Sequence, residues 1–291
     1  MKNITGALLI AVALISSCTS DTGSDEGNVA QTTDSTNVKD WKLGVALWTF
    51  HTMNFPESLE RVDSAGIKYI EPNTFHSAGP AFNNTVIGKL TPAQIEKLKD
   101  MIEKKGLKAE SVYIVGDSTI GSWKKQFDIA KGLGAQFVTT EPPLNMWDAI
   151  DSLAGAYGMK VAIHEHWKGV SHYWDTDTTL MAIEGHPNFY VCADLGHWPK
   201  SGVNPLDAVK KLSGHIIGIH LKDIAAYNDP SLKDVPVGTG IVDFPAIFQE
   251  LKKQGFRGHI YIERDAEDQP SNLSSVIQTV RYYNEQIGKL K

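Results

Sequence analysis

The sequence predicts an α/β protein built as a single closed, parallel (β/α)8 barrel behind a leader and a tether, and three observations carry that prediction. From Trp41 onward, short apolar runs alternate with amphipathic stretches, and they do so eight times. Several amphipathic stretches end in glycine, at Gly106, Gly134, Gly158 and Gly255, where left-handed helix caps are expected. The first apolar run ends in Ala46-Leu47-Trp48-Thr49-Phe50, without the glycine-rich phosphate turn that usually opens a doubly wound sheet.

The elements follow in order. Residues 1–17 read as a secretory signal peptide, with Lys2 in front of an apolar run over 7–15. That run is too short to span a membrane, which takes about 20 residues. It closes in Leu14-Ile15-Ser16-Ser17-Cys18, which resembles a bacterial lipobox. The resemblance implies that Cys18 becomes the lipidated first residue of the mature chain. Residues 18–40 then form a lipidated, flexible tether, almost wholly Ser, Thr, Asp, Gly, Asn and Gln after the cysteine. Such a stretch cannot bury enough surface to offset its ordering entropy. The expected location is the periplasmic or cell-surface side of a bacterial outer membrane, with lipid as the only membrane contact. Cys192, in an apolar strand, is expected to be an inert core thiol.

The barrel domain is read as residues 41–291. Strands are expected at 43–48, 68–71, 108–112, 136–141, 160–164, 189–194, 216–221 and 259–263. Amphipathic helices lie between them, among them 92–105, 120–133, 146–157, 205–212 and 244–254. A composition of 42% hydrophobic and 21% charged residues excludes a disordered, collagenous or coiled-coil protein. With 28 basic against 34 acidic residues the net charge is −6, which leaves no electrostatic footprint for nucleic acid. Nothing in the sequence sets an oligomeric state.

In such a barrel, functional residues sit at the carboxyl ends of the strands. Those ends are Trp48, Glu71, Glu141, His164 with His166, Asp194, His220 and Glu263. An ionisable side chain aimed into the barrel mouth is poorly solvated and needs a partner. A divalent cation reconciles carboxylates with imidazoles, because it neutralises charge and accepts mixed nitrogen and oxygen ligation. Asp194 and His220 are separated by one strand–helix–strand unit, so they belong to neighbouring strands, and Glu263 comes from the next.

Ala193-Asp194-Leu195-Gly196-His197, Ile219-His220-Leu221-Lys222-Asp223, Pro236-Val237-Gly238-Thr239-Gly240 and Ile262-Glu263, in this order and spacing, resemble the xylose-isomerase-like TIM barrel superfamily of sugar isomerases, epimerases and dehydratases. The resemblance covers nearly the whole folded part. It implies one divalent metal ion (Mn, Zn, Co or Mg) held by Asp194, His220 and Glu263. The family's usual fourth ligand is a glutamate ending strand five, where this chain has His164. Glu141, ending strand four, is therefore expected as the fourth ligand, with His164 either a fifth ligand or the proton-transfer group.

By strand alternation His164 and His166 share a face, while Glu165 points to the helix layer. The pair offers acid–base capacity near neutrality, with a hydrogen-bonded core role the other reading of His166. Trp48, Trp167, Trp174 and Trp198 fall in or beside loops at the barrel mouth, where they either stack on sugar faces or pack as core or lid. Glu71 either binds a substrate hydroxyl or forms a salt bridge. Lys222 shares the face of His220 and either steadies an oxyanion or pairs with Asp223. His197 and Arg264 complete the expected substrate contacts, Arg264 alternatively as a structural partner of the glutamates.

The leading expectation is an enzyme that removes a proton α to a carbonyl of a metal-held sugar, giving epimerisation or isomerisation. Loss of a β-substituent through the same enediolate chemistry makes it a lyase or dehydratase, which on a keto-glycoside would expel the aglycone. The extracytoplasmic location and the lack of a phosphate loop or an Arg/Lys cluster at a strand end favour an unphosphorylated sugar or keto-sugar. Apurinic-site endonucleases of the same superfamily need additional histidines at strand ends that here carry Glu71, Val112 and Glu141. A non-catalytic glycan-binding lipoprotein is the remaining alternative.

Overall fold

A computed structural model describes residues 38–290. The expected signal peptide, Cys18 and the tether as far as residue 37 lie outside the described residues. A 3-10 turn at Val38–Asp40 leads into the first strand, and Val38 packs against the core. The elements run β1 (Lys42–Ala46), α1 (Phe55–Ser64), β2 (Tyr69–Glu71), α2 (Pro92–Lys104), β3 (Ser111–Tyr113), α3 (Ile120–Leu133), β4 (Phe137–Thr140) and α4 (Trp147–Tyr157). They continue with β5 (Lys160–His164), α5 (Thr176–Ile183), β6 (Phe189–Asp194), α6 (Pro205–Lys211), β7 (Ile216–Leu221), α7 (Phe244–Lys253), β8 (His259–Ile262) and α8 (Leu273–Lys289).

Neighbouring strands are parallel, in the order β2-β1-β8-β7-β6-β5-β4-β3. Closure between β2 and β3 rests on isolated bridges, Tyr69 with Lys108 and Asn73 with Tyr113. There Ile70 N donates to Lys108 O (2.9 Å) and Tyr113 N to Pro72 O (2.7 Å). The strand expected at 108–112 is accordingly shorter and later. The expected caps form: Gly106, Gly134, Gly158 and Gly255 all have positive φ. Among the described residues no helix is long and apolar enough to cross a membrane.

Alternation along each strand divides the core in two. Val45, Ile70, Val112, Val138, Ile163, Val191, Ile219 and Ile260 face the helices in the larger core. Ala46, Phe137, Ala162, Cys192 and Tyr261 pack inside the barrel. Gly44 has no side chain because Tyr261 fills that space: a Cβ there would lie 2.6 Å from the tyrosine ring. Cys192 is buried in this inner layer, and burial pushes its thiol up to about 12, which keeps it unreactive.

The same alternation carries polar residues to the top of the barrel. The loop between β7 and α7 is anchored by Asp223, whose carboxylate accepts from the backbone N–H groups of Ile224, Gly238, Gly240 and Val242 at 2.8–3.2 Å. Asp234 of that loop accepts from the N–H groups of Asp265 (3.0 Å) and Ala266 (2.7 Å), tying it to the loop after β8.

Candidate functional site

His164 ends β5, Asp194 ends β6, His220 lies in β7 and Glu263 follows β8. The register places Asp194 directly beside His220. One donor atom from each of these four residues lies within 4.8 Å of all the others, and all four side chains are buried. His220 Nδ1 is 2.7 Å from Glu263 Oε2, and His164 Nε2 is 3.1 Å from His220 Nδ1 and 3.4 Å from Asp194 Oδ2.

Each imidazole is held from behind by a carboxylate. His220 Nε2 donates to Glu71 Oε1 (2.6 Å), and Glu71 Oε2 accepts from Ser111 (2.7 Å) and Thr139 (2.6 Å). His164 Nδ1 faces Glu141 Oε1 at 3.4 Å, and Glu141 also pairs with His166 Nδ1. The other oxygen of Asp194 accepts from the N–H groups of Gly196 and His197, both at 2.9 Å.

A divalent cation fits this arrangement. Asp194 Oδ2 and Glu263 Oε2 are buried and, although cations lie beside them, neither receives a hydrogen bond of good geometry while both converge on two imidazole nitrogens. Two ring nitrogens and two carboxylate oxygens form a mixed donor set, and the carboxylates behind the rings fix the tautomers that leave those nitrogens free to ligate. His164, Asp194, His220 and Glu263 would hold the ion.

The geometry favours His164 over the expected Glu141 as the fourth donor. Glu141 forms a separate group with His164 and His166 instead of joining the four donors. The reason is geometric: His164 already fills the space between Glu141 and the centre. Lys222 is buried beside the centre, its Nζ 3.2 Å from Asp194 Oδ2, 3.1 Å from Glu263 Oε2 and 2.9 Å from Asp265 Oδ2. It also lies 3.0 Å from His197 Nε2. It does not pair with Asp223, whose carboxylate holds the β7–α7 loop.

Electrostatics follow from burial and these partners. Burial alone would raise the Glu263 carboxyl, but His220 and Lys222 hold it at about 2. Glu141 is likewise held well below its usual range, against burial, by His164 and His166. Burial would lower His164, yet Asp194 and Glu141 raise it to about 9. His197 goes the other way, pushed well down by burial with Lys222 beside it.

Above the donors opens a cavity of about 390 Å³ lined by His164, His166, His197, Lys222 and Glu263 on its chemical side. Trp48, Phe75, Tyr113 and Trp167 line its walls, and the segment 230–233 of the β7–α7 loop covers part of it. Trp48, 37% exposed, donates from Nε1 to Asp265 Oδ1 (3.0 Å).

Three expected substrate contacts differ. Glu71 reaches the cavity wall, but both of its oxygens are engaged by His220, Ser111 and Thr139. Trp198 is completely buried and does not line the cavity, because the short helix His197–Lys200 turns its ring into the core. Arg264 is drawn away to Asp234 (2.6 Å) and Asp268 (2.8 Å). Trp174 also lies off the cavity, under the Lys168 ammonium. Among the lining residues not anticipated are Phe75, Tyr113, Lys200, Lys233 and Asp265. Asp265 was findable, since it follows Glu263 by two and alternation puts both on one face.

The chain matches the xylose isomerase-like TIM barrel family over residues 59–286, and it belongs to that family. A structure of an uncharacterized protein from Parabacteroides distasonis is 35% identical, with a TM-score of 0.67, covering 87% of this chain and 100% of that one. The IOLI protein with a bound zinc atom has a TM-score of 0.71 at 17% identity, covering 86% and 99%. Inosose dehydratase of Clostridium botulinum is 26% identical over 240 residues, 65% of this chain and 79% of that protein.

Proposed function

We propose that this protein is a divalent-metal-dependent enzyme that abstracts a proton α to a carbonyl of an unphosphorylated sugar or keto-sugar, acting as an isomerase or epimerase. The observation that carries this reading is the buried set of four converging donors, two of them carboxylate oxygens that receive no hydrogen bond of good geometry, below a cavity walled by aromatic rings. A bound cation would polarise the substrate carbonyl and stabilise negative charge developing on its oxygen.

The chain's own residues supply the rest. Lys222 presents a charged N–H donor at the edge of the donor set, where it can hold the same developing oxyanion. His166 lines the cavity with Nδ1 engaged by Glu141, leaving Nε2 to accept a proton. Glu141 fixes the His166 tautomer and stabilises the imidazolium that results, as a carboxylate does for a catalytic histidine elsewhere. Trp48, Phe75 and Trp167 give the cavity an aromatic lining that suits the apolar parts of a sugar and excludes water.

A second reading, a lyase or dehydratase, has its own support. His166 is placed at the cavity side of the donor set, where it can give a proton to a leaving oxygen, and inosose dehydratase is among the relatives. Incubating metal-loaded protein with free sugars, keto-sugars and keto-glycosides in D₂O, with NMR detection, tests both readings. Deuterium at the α carbon without release supports the first, and release of the β-substituent supports the second. Binding with neither leaves a non-catalytic glycan receptor. Cys18 is proposed as the lipid anchor, and Cys18→Ser is expected to move the protein from the membrane to the soluble fraction; unchanged membrane association would count against it.

A further inference from the structure

The site contains a charge that the proposed chemistry does not use. Lys200 ends the short helix His197–Lys200 after β6, is only 6% exposed and lines the cavity. Among the described residues no carboxylate pairs with it and it donates no hydrogen bond; its one close partner is the face of Trp167, 4.1 Å from ammonium to ring centroid. The acids around the cavity are engaged elsewhere: Asp265 holds Lys222 and Trp48, Glu141 holds His164 and His166, and Asp194 and Glu263 belong to the donor set.

Asp265, Asp194 and Asp234 act on this ammonium only from beyond ion-pair distance. A buried ammonium with no paired carboxylate is costly, and a cation–π contact returns only part of the lost solvation. Burial lowers the Lys200 pKa, as expected of such a group. Lys233, exposed on the covering segment, adds a second cation to the same cavity.

We infer that Lys200, with Lys233 above it, forms an anion subsite for a carboxylate carried by the substrate, making the ligand a sugar acid. This rests on the sugar-enzyme reading above and narrows it. A carboxylate suits the site better than a phosphate, because no arginine lines the cavity to supply a fork of donors. Both lysines come from loops beyond the strand ends, outside the positions at which a sequence shows its cation clusters.

The experiment is calorimetric titration of the metal-loaded protein, wild type, Lys200→Met and Lys200→Arg, with glucose, glucuronate and glucose 6-phosphate, and with galactose and galacturonate. Wild type is expected to bind a uronate on the order of 30-fold tighter than its neutral counterpart, the scale of losing one partner of a buried charge pair. Lys200→Met is expected to erase that preference and Lys200→Arg to keep most of it. Equal affinity for acid and neutral sugar, a preference surviving in Lys200→Met, or tighter binding of glucose 6-phosphate than of glucuronate would each overturn the inference while leaving the sugar reading standing. Stoichiometric metal with no binding of any of the five probes would overturn both.

Discussion

Replacing Glu71 by Gln tests whether the carboxylate behind His220 sets the metal centre. Glu71 is buried, and its Oε1 takes the His220 Nε2 proton at 2.6 Å, fixing the ring with Nδ1 toward the donors. Glutamine has the same shape and keeps one acceptor for His220. Its amide N–H groups can be met by the Ser111 and Thr139 hydroxyls, which rotate from donating to accepting. The fold should therefore persist. What is lost is the negative charge that makes His220 a stronger ligand and holds its tautomer. Losing such an outer carboxylate typically lowers metal affinity about 10–100-fold, or about 1.4–2.7 kcal/mol. Competition against a chromophoric chelator measures the affinity, and circular dichroism with thermal melting checks the fold. A Glu71→Gln protein that binds metal within about twofold of wild type, while His220→Ala loses the ion, would refute the reasoning.

Further outcomes follow from the same geometry. His164→Gln is expected to lose metal at least about 10-fold more severely than Glu141→Gln, because His164 contributes a donor and Glu141 only orients it; the reverse ranking by elemental analysis would restore Glu141 to the centre. Metal must displace the proton from His164, whose folded pKa of about 9 exceeds the ordinary 6.5. The sign is then fixed. The metal-free protein draws stability from this imidazolium below pH 6.5 and loses it as pH rises through about 9, while metal affinity rises over the same window, about tenfold per pH unit for each proton released. Titrations in buffers of different ionisation enthalpy would show the proton release, and pH-independent affinity would contradict it. Gly196→Ala is expected to disturb Lys222, since a Cβ there would lie 2.5 Å from Lys222 Cγ and 3.0 Å from its Cβ. Turnover should fall at least about tenfold with metal retained, by the scale of a displaced oxyanion donor; unchanged kcat would show Lys222 to be dispensable.

The barrel was legible in the sequence because its strands bury both faces while alternating between them. The resulting apolar runs and capped helices are local signals, and β5, β6 and β7 fall where the periodicity placed them. Their positions at strand ends marked His164, Asp194, His220 and Glu263 from sequence alone, and alternation put His166 on the face of His164. Sequence could not say which side chain fills the centre. Strand ends in a tilted, staggered barrel lie at different heights, so the order of residues along the chain does not give their distance from the axis. Only the folded barrel set His164 among the donors, with Glu141 behind it. It was likewise tertiary structure that turned the Trp198 ring inward, drew Arg264 to Asp234 and Asp268, and carried Lys200 into the cavity. Those side chains follow the strand ends, in loops whose course is set by packing against other loops and not by any local period, so their places exist only once the barrel has closed.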